Sequence, residues 1–543
     1  ALFDEAAAAR LLQALSGTAE RPPHLGTEAL VDSVASGAIA PLKGSWLVAL
    51  EAGGGKLKRR QELPAEAFFS AAEVRGLVEA LGDDYGLLFV ALSYRHAPAC
   101  GSKSPDSLRW MSPLSSEGPC VGGRRWLSKD HPDPEGFHLA IVAAVARLYM
   151  KQGERHGCSY SPLSAAFHAK GLGAPDFALF CAQGRANSRT HPRSPSAHVD
   201  NRARCARAGD FASLYQKPRD GDAERLFLPG LRASNVWYGH ELSVCWMQTE
   251  LPPGFAEQMK AAGLAQSYDD SGWVRVAPPR LEGCVRLSSR LHPPFRSLPR
   301  RLLLRVCVLS RLCPAQCFVE AAISAGLKVG TRRLDLAKRT ERVMARAYGG
   351  VGWPQSSTLE GVCAGQRLPP LLPDEVKRRL EDEKTFTSKA DVGVVDKLYR
   401  GFFDGAARFA TRLDFHGLKW RNQEAQQLVG VLSRFAVLTA VDLSKNMLGT
   451  AGAKAIAEHV NGSAVLASIN LADNRLCGVY KDFKGNLHGT YDTNGIQSIV
   501  AALSGGSAVL TTLKCAFCAR ICELHLKTCT HTFSLLARIC QYH

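Results

Sequence analysis

No uninterrupted apolar run in this 543-residue chain reaches the ~18 residues that a membrane-crossing helix needs. The run Leu302-Leu303-Leu304 is flanked by Arg300 and Arg301 and stopped by Arg305, so no membrane span is expected. Also missing are the Gly-rich phosphate loop, the G-x-S-x-G elbow, the H-E-x-x-H zinc motif and the Gly-rich dinucleotide fingerprint. With them go the commonest sequence-readable routes to nucleotide, acyl and metal chemistry, and no catalytic residue, cofactor or metal is assigned. A basic leader is lacking too. The chain opens at Ala1 without Met, and Asp4 and Glu5 stand where a secretory signal needs positive charge. An intracellular, cytoplasmic setting with reduced thiols is therefore expected, and the chain reads as a fragment or an incomplete gene model.

Acid is short as well: 50 Asp and Glu face 67 Lys and Arg, a net charge of +17. Such an excess suggests nucleic acid until it is located. Segments 96–125, 181–209, 274–316 and 515–543 carry +2, +5, +8 and +2, which is the whole surplus. They also hold 12 of the 17 cysteines. They are rich in Arg, Ser, Pro and Cys and show no sustained period beyond a short Leu run in the third. The first three are read as inserts in a neutral globular chain and the fourth as a foreign ending: retained introns, or long disordered loops. Structureless loops beyond about 12–15 residues are uncommon inside compact domains. A basic arm that orders only on binding is the competing account. Nucleic-acid binding is not expected, because these segments lack interleaved aromatics. In the tail, Cys515 and Cys518 form one C-x2-C pair with Cys522, Cys529 and His531 following. No second close pair accompanies it, so no zinc site is expected. His131 lies in Asp130-His131-Pro132-Asp133-Pro134, which reads as a turn.

What is present in strength is a repeat over residues 413–514. Leu438, Val441, Leu443, Asn446 and Leu448 return 28 residues later as Leu466, Ile469, Leu471, Asn474 and Leu476. Stepping back 28 gives Leu413, Phe415 and Trp420, and Leu510 and Leu513 start a fourth unit. This fits L-x-x-L-x-L-x-x-N-x-L and resembles leucine-rich repeats of the ribonuclease-inhibitor type, which implies a short C-terminal solenoid. Each unit is a short strand followed by a helix, as at 452–460 with Ile456 and Val460 on one face and Leu428 and Leu432 standing 28 before them. Outward strand positions by the period-two rule are Arg412, Asp414 and His416, then Ala440, Asp442 and Ser444, then Ser468, Asn470 and Ala472, then Thr512 and Lys514. They are expected to form one continuous face for a protein partner. Residues 477–494 are an insertion with alternating Gly and aromatics, read as a loop or hairpin.

The N-terminal half alternates strand and helix patterns. Helices are read at 4–15, 70–81, 137–150, 255–262 and 318–325, with a Pro-containing linker at 20–26. Ser70 followed by Glu73 marks a capping box, and Val74, Leu77, Val78 and Leu81 form the stripe. Apolar runs at 87–92 and 177–180 read as buried parallel strands, with further strand candidates at 46–50 and 236–247. The fold class expected is α/β with an open, largely parallel sheet. After it come an Arg-rich helix starting at 340, a linker at 368–373, a charged and solvated helix at 374–383, and a lead-in at 397–410. The domains read as 1–83, a helical or hairpin region; 84–348, the α/β domain; 349–396, linker and charged helix; 397–514, repeats; and 515–543, the tail.

Three elements of the α/β region together carry a family resemblance. Ala91-Leu92-Ser93-Tyr94-Arg95 is similar to the A-L-S-Y-x-W opening of the heterokaryon-incompatibility (HET) domain, and Trp126 restores the missing Trp if 96–125 is removed. Asp210 and Gln216 keep the spacing of its D-A-L-C-I-N-Q element, and Ala233, Val236, Trp237, Tyr238 and Gly239 loosely echo its V-x-W-L-G element. The resemblance covers roughly 87–325 and implies a fold similar to TIR domains, with ligands met at the strand ends. It makes Tyr94, Arg95, Trp126, Asp210 and Gln216 the candidate ligand site, set against packing and turn roles for the same residues. Two functions follow. One is an intracellular interaction or signalling protein with a partner-binding repeat surface. The other is a TIR-like hydrolase of NAD or another nucleotide, with Glu320 as a possible acid, regulated by the repeats.

Overall fold

A computed structural model describes residues 26–94, 133, 136–151, 161–181, 212–215, 219–250, 316–329, 332–339, 359–382, 389–481, 486–504 and 510–514. The readings at 4–15, 255–262 and 340–358, the tail, His131 and nearly all of the three inserts lie outside these residues, as does all but Gly26 of the 20–26 linker. The architecture is mixed α/β with two largely parallel sheets.

Helix α1 spans Thr27–Ala35, strand β1 Leu42–Lys43, helix α2 Gly44–Ala52, helix α3 Ala71–Leu81 and strand β2 Phe89–Tyr94. The 46–50 run, read as a strand, is helical: Ala49 to Ala52 favour helix, and Gly54 closes the turn at φ 67°. The capping box at Ser70 is made. Ser70 Oγ accepts from Glu73 N at 3.2 Å, and Glu73 Oε2 accepts from Ser70 N at 2.7 Å. Beyond lie α4 (Phe137–Tyr149), α5 (Pro162–Ala169), β3 (Ala178–Cys181), α6 (Gly221–Gly239), β4 (Val244–Gln248), α7 (Gln316–Gly326) and β5 (Arg333–Asp335).

These strands form a sheet in the order β1-β3-β2-β4-β5, parallel throughout except for β1. β2 is the central strand, as its uninterrupted apolar run requires, and Phe89, Val90 and Ala91 are fully buried. Register puts Phe89, Ala91, Phe180 and Met247 on one face and Val90, Leu179, Trp246 and Gln248 on the other. Trp237 of α6 packs edge-on against Phe89, while Tyr149 of α4 packs on Trp246. Helices therefore cover both faces.

Two sequence boundaries are corrected. The 236–247 run is divided: Val236 to Gly239 end α6, Ser243 Oγ donates to the Trp237 carbonyl at 2.9 Å, and β4 starts at Val244. Cys181 and Gln316, assigned to inserts, belong to the fold. Cys181 is the last residue of β3, fully buried and paired with Leu92, and Gln316 opens α7.

After β5 come α8 (Leu359–Val362), an extended strap, α9 (Pro373–Asp382) and α10 (Lys389–Phe409). The strap is packed, and within the 368–373 stretch read as a linker Pro369 and Pro370 are buried while Leu368 is exposed. Gly365 N donates to Arg333 O at 2.7 Å, and Arg367 is 1 % exposed. α9 is charged outside, yet it buries Val376 and Leu380 one turn apart, so it is not a fully solvated helix.

The second sheet holds β6 (Arg412–Asp414), β7 (Ala440–Asp442), β8 (Ser468–Asn470) and β11 (Thr512–Lys514), all parallel, in the order β11-β8-β7-β6. Leu413, Val441, Ile469 and Leu513 pair across it and are buried. Helices α11 (Asn422–Leu432), α12 (Thr450–Gly462) and α13 (Asn494–Ser504) pack side by side. The insertion is an antiparallel hairpin, β9 (Val479–Lys481) with β10 (Leu487–Gly489).

Asparagines tie the units together. Asn446 Oδ1 accepts from Trp420 N at 3.0 Å, and its Nδ2 donates to Phe415 O and Leu443 O at 2.8 and 2.9 Å. Asn474 repeats this with Leu448 N, Leu443 O and Leu471 O. Gly417, Lys445 and Asp473, at 28-residue spacing, all take positive φ so that the chain can turn there.

Candidate functional site

Register lines up the outward strand positions. Arg412, Ala440, Ser468 and Thr512 form one row; Asp414, Asp442, Asn470 and Lys514 form the next. Neighbours along the second row touch, since Asn470 Nδ2 donates to Asp442 Oδ2 at 3.0 Å. Each of three strands ends in the same turn, its Asp or Asn oxygen accepting a backbone N–H two residues on: His416 N, Ser444 N and Ala472 N. These side chains are held in place before any ligand arrives. Asp414 and Ser444, expected to face outward, are largely buried at 8 % and 7 % exposure. Burial would raise the Asp414 carboxyl, but hydrogen bonds from His416 outweigh it and hold it below its ordinary value. His416 is raised, chiefly by its hydrogen bond to Asp414 at 2.7 Å. The accessible part of the face is therefore Arg412, His416, Lys514 and the half-buried outward residues Ala440, Asp442, Ser468 and Asn470 of β7 and β8.

The second arrangement lies at the carboxyl end of the first sheet. β2 has β3 on one side and β4 on the other, so the chain reverses its winding direction at β2, and open α/β sheets place ligands at such points. Ser93 Oγ donates to Glu320 Oε2 at 2.7 Å, both residues buried. On the opposite face Gln248 Nε2 lies 3.4 Å from His138 Nδ1, at the start of α4. Gln248 is fully buried, and among the described residues its Oε1 has no hydrogen-bond partner. Burial lowers the His138 pKa despite Asp133 and Glu250 nearby, so the ring is neutral at neutral pH.

Of the candidate ligand-site residues, Arg95, Trp126, Asp210 and Gln216 lie outside the described residues, and for Tyr94 only the backbone at the end of β2 is described. Residues 212–215 of the Asp210–Gln216 element are described: Ser213 N donates to Cys181 O and Ser213 Oγ accepts from Cys181 N, which carries the segment past the end of β3. The loose third element sits within α6 and packs the core. Trp237 Nε1 donates to Ser33 Oγ at 3.0 Å and Tyr238 Oη to the Leu92 carbonyl at 2.8 Å. Gln248 was missed by sequence reasoning. Its one signal was a polar residue closing the apolar run from Val244.

No protein-family model matches this chain, and no curated protein matches it. Among the described residues no helix is long and apolar enough to cross a membrane.

Proposed function

We propose that the chain is an interaction or signalling protein of the cytoplasm, in which a HET-like α/β domain is joined to a short leucine-rich-repeat solenoid whose strand face binds a protein partner. The observation that carries this reading is the in-register row Asp442, Asn470 and Lys514, whose first two members are pre-positioned by their own turns and by a cross-strand bond. A photo-crosslinking residue in place of Ala440 or Ala472 is expected to give a discrete protein adduct in cells. The same residue in place of the exposed Lys454 on α12 is expected to give none. Asp442→Arg should abolish the Ala472 adduct. Equal labelling from Lys454, or no adduct from either strand position, would sink the proposal.

A second reading is supported by the Ser93–Glu320 hydrogen bond at the ligand end of the sheet. It is hydrolysis of NAD or a related nucleotide by the α/β domain, under control of the repeats, with Glu320 as the acid. NAD consumption by the wild type that is lost in Glu320→Ala and in Glu320→Gln would support it. No turnover by the wild type would remove it.

A further inference from the structure

A cleft of about 490 Å³ lies between the β4–β5 side of the first sheet, α7 and the packed strap that follows α8. Its volume is in the range of small-molecule sites, roughly 300–1,000 Å³. Met247, Phe318, Ala321 and Leu371 make its apolar lining, with Leu368 of the strap at the rim, 51 % exposed. None of these residues belongs to the repeat face or to the Ser93–Glu320 pair.

Charge on the lining is unequal. Arg333, Lys338 and Arg379 stand against one acid, Asp335. Arg379 is paired with Glu375, which it shares with Arg378. Asp335 Oδ1 is occupied by the Thr249 hydroxyl and by Ala337 N. Among the described residues the Arg333 guanidinium bonds only to the Gln366 carbonyl and Ser324 Oγ, and the Lys338 ammonium only to the Ala364 carbonyl at 2.6 Å. Two cations on one wall thus have oxygen partners but, among the described residues, no carboxylate partner. Long cationic side chains beside an apolar floor match an anion with a hydrocarbon body: the head takes the guanidinium and ammonium, the body takes the floor.

We propose that this cleft is a binding site for an organic anion with an apolar body, such as a medium-chain carboxylate, held by Arg333 and Lys338. The proposal is independent of what the repeats bind.

The test is titration calorimetry of the full chain with decanoate, decanol and decyltrimethylammonium. Decanoate is expected to bind at one site, and the alcohol and the cation about tenfold or more weaker. Lys338→Glu and Leu368→Asp should each weaken decanoate about tenfold, while Lys338→Arg keeps it within about threefold. Lys338 and Leu368 are exposed, and unchanged urea midpoints would show that these variants fold. The proposal is overturned if Lys338→Glu binds decanoate as wild type does, if decyltrimethylammonium binds as tightly as decanoate, or if the wild type binds no decanoate.

Discussion

Lys445 holds φ at 56°, where a Cβ crowds the backbone and only glycine sits without strain. Its counterpart one unit earlier is Gly417, so the turn tolerates glycine. Lys445→Gly is expected to raise stability by about 0.5–1 kcal/mol, after the entropy of the freer unfolded chain is subtracted. Lys445→Val should lower it, because a branched side chain is worse still at positive φ. Urea midpoints decide both, and a midpoint unchanged by either would show that the turn is not strained. The buried Lys328 is a different case. Its Nζ donates to the His240 and Ser243 carbonyls and to Ser243 Oγ, just past the end of α6. Burial pushes its pKa from 10.5 down to about 7. The unfolded chain therefore binds more protons between those values, and this group's contribution to stability rises with pH across that window and falls away as pH drops to about 7. Between about pH 7 and about pH 9 the wild type should gain up to about 2 kcal/mol relative to Lys328→Met. Parallel stability curves for the two proteins would refute this.

At the scale of the element, the strand–helix unit is held by one apolar row and one asparagine. Leu443 is 1 % exposed, and Leu443→Ala should cost about 2–5 kcal/mol in denaturant unfolding. Asn446→Ala strands the buried Trp420 N–H and the Phe415 carbonyl, while the Leu443 carbonyl keeps Asn474 Nδ2, and should cost about 2 kcal/mol or more. A loss below about 1 kcal/mol at either position would mean that the unit is not packed as described. This part of the fold was legible because a 28-residue period fixes which residues align, and alignment fixes which face inward. The single runs were less legible. Five apolar residues such as 46–50 suit a strand or a buried helix equally, and what decided for helix was the triple glycine that ends it and the packing of α2 on α4. The run at 236–247 spans two elements, and its composition marks the break only through Gly239, His240, Glu241 and Ser243. The candidate sites follow the same logic. Strand-face positions were readable from register, whereas the burial of Asp414 and Ser444 depends on turns formed with their own backbone. Ser93 and Glu320 meet across 227 residues, a proximity no local pattern encodes.

At the scale of the molecule, α10 joins the two sheets. The Phe402 ring lies between the ends of α6 and α7, so close that a Cβ on Gly239 would come within 2.5 Å of it and one on Gly326 within 2.9 Å. Asn235 Nδ2 donates to Leu398 O, and on the other side Ala436 N donates to Ala407 O while Phe403 packs edge-on against Phe435. Arg367 adds a second tie. Its guanidinium donates to the Ala325 carbonyl at the end of α7 and to the Asp414 carbonyl of β6, and the Arg367 carbonyl accepts from Trp420 Nε1. The buried apolar residues run as one cluster from Leu30 to Leu513. Large chains commonly unfold in parts, but here no apolar boundary separates the sheets, so they are expected to unfold together. Hydrogen exchange of β2 and β7 amides in rising urea should give one shared midpoint in the wild type. Gly239→Leu forces the Phe402 ring out of its slot, at a cost of about 1–3 kcal/mol from overpacking. In that variant the two midpoints should separate, with β7 opening first, because the second sheet is the smaller and loses its cap when α10 shifts. Separate midpoints already in the wild type would show that α10 tethers the two sheets without coupling them.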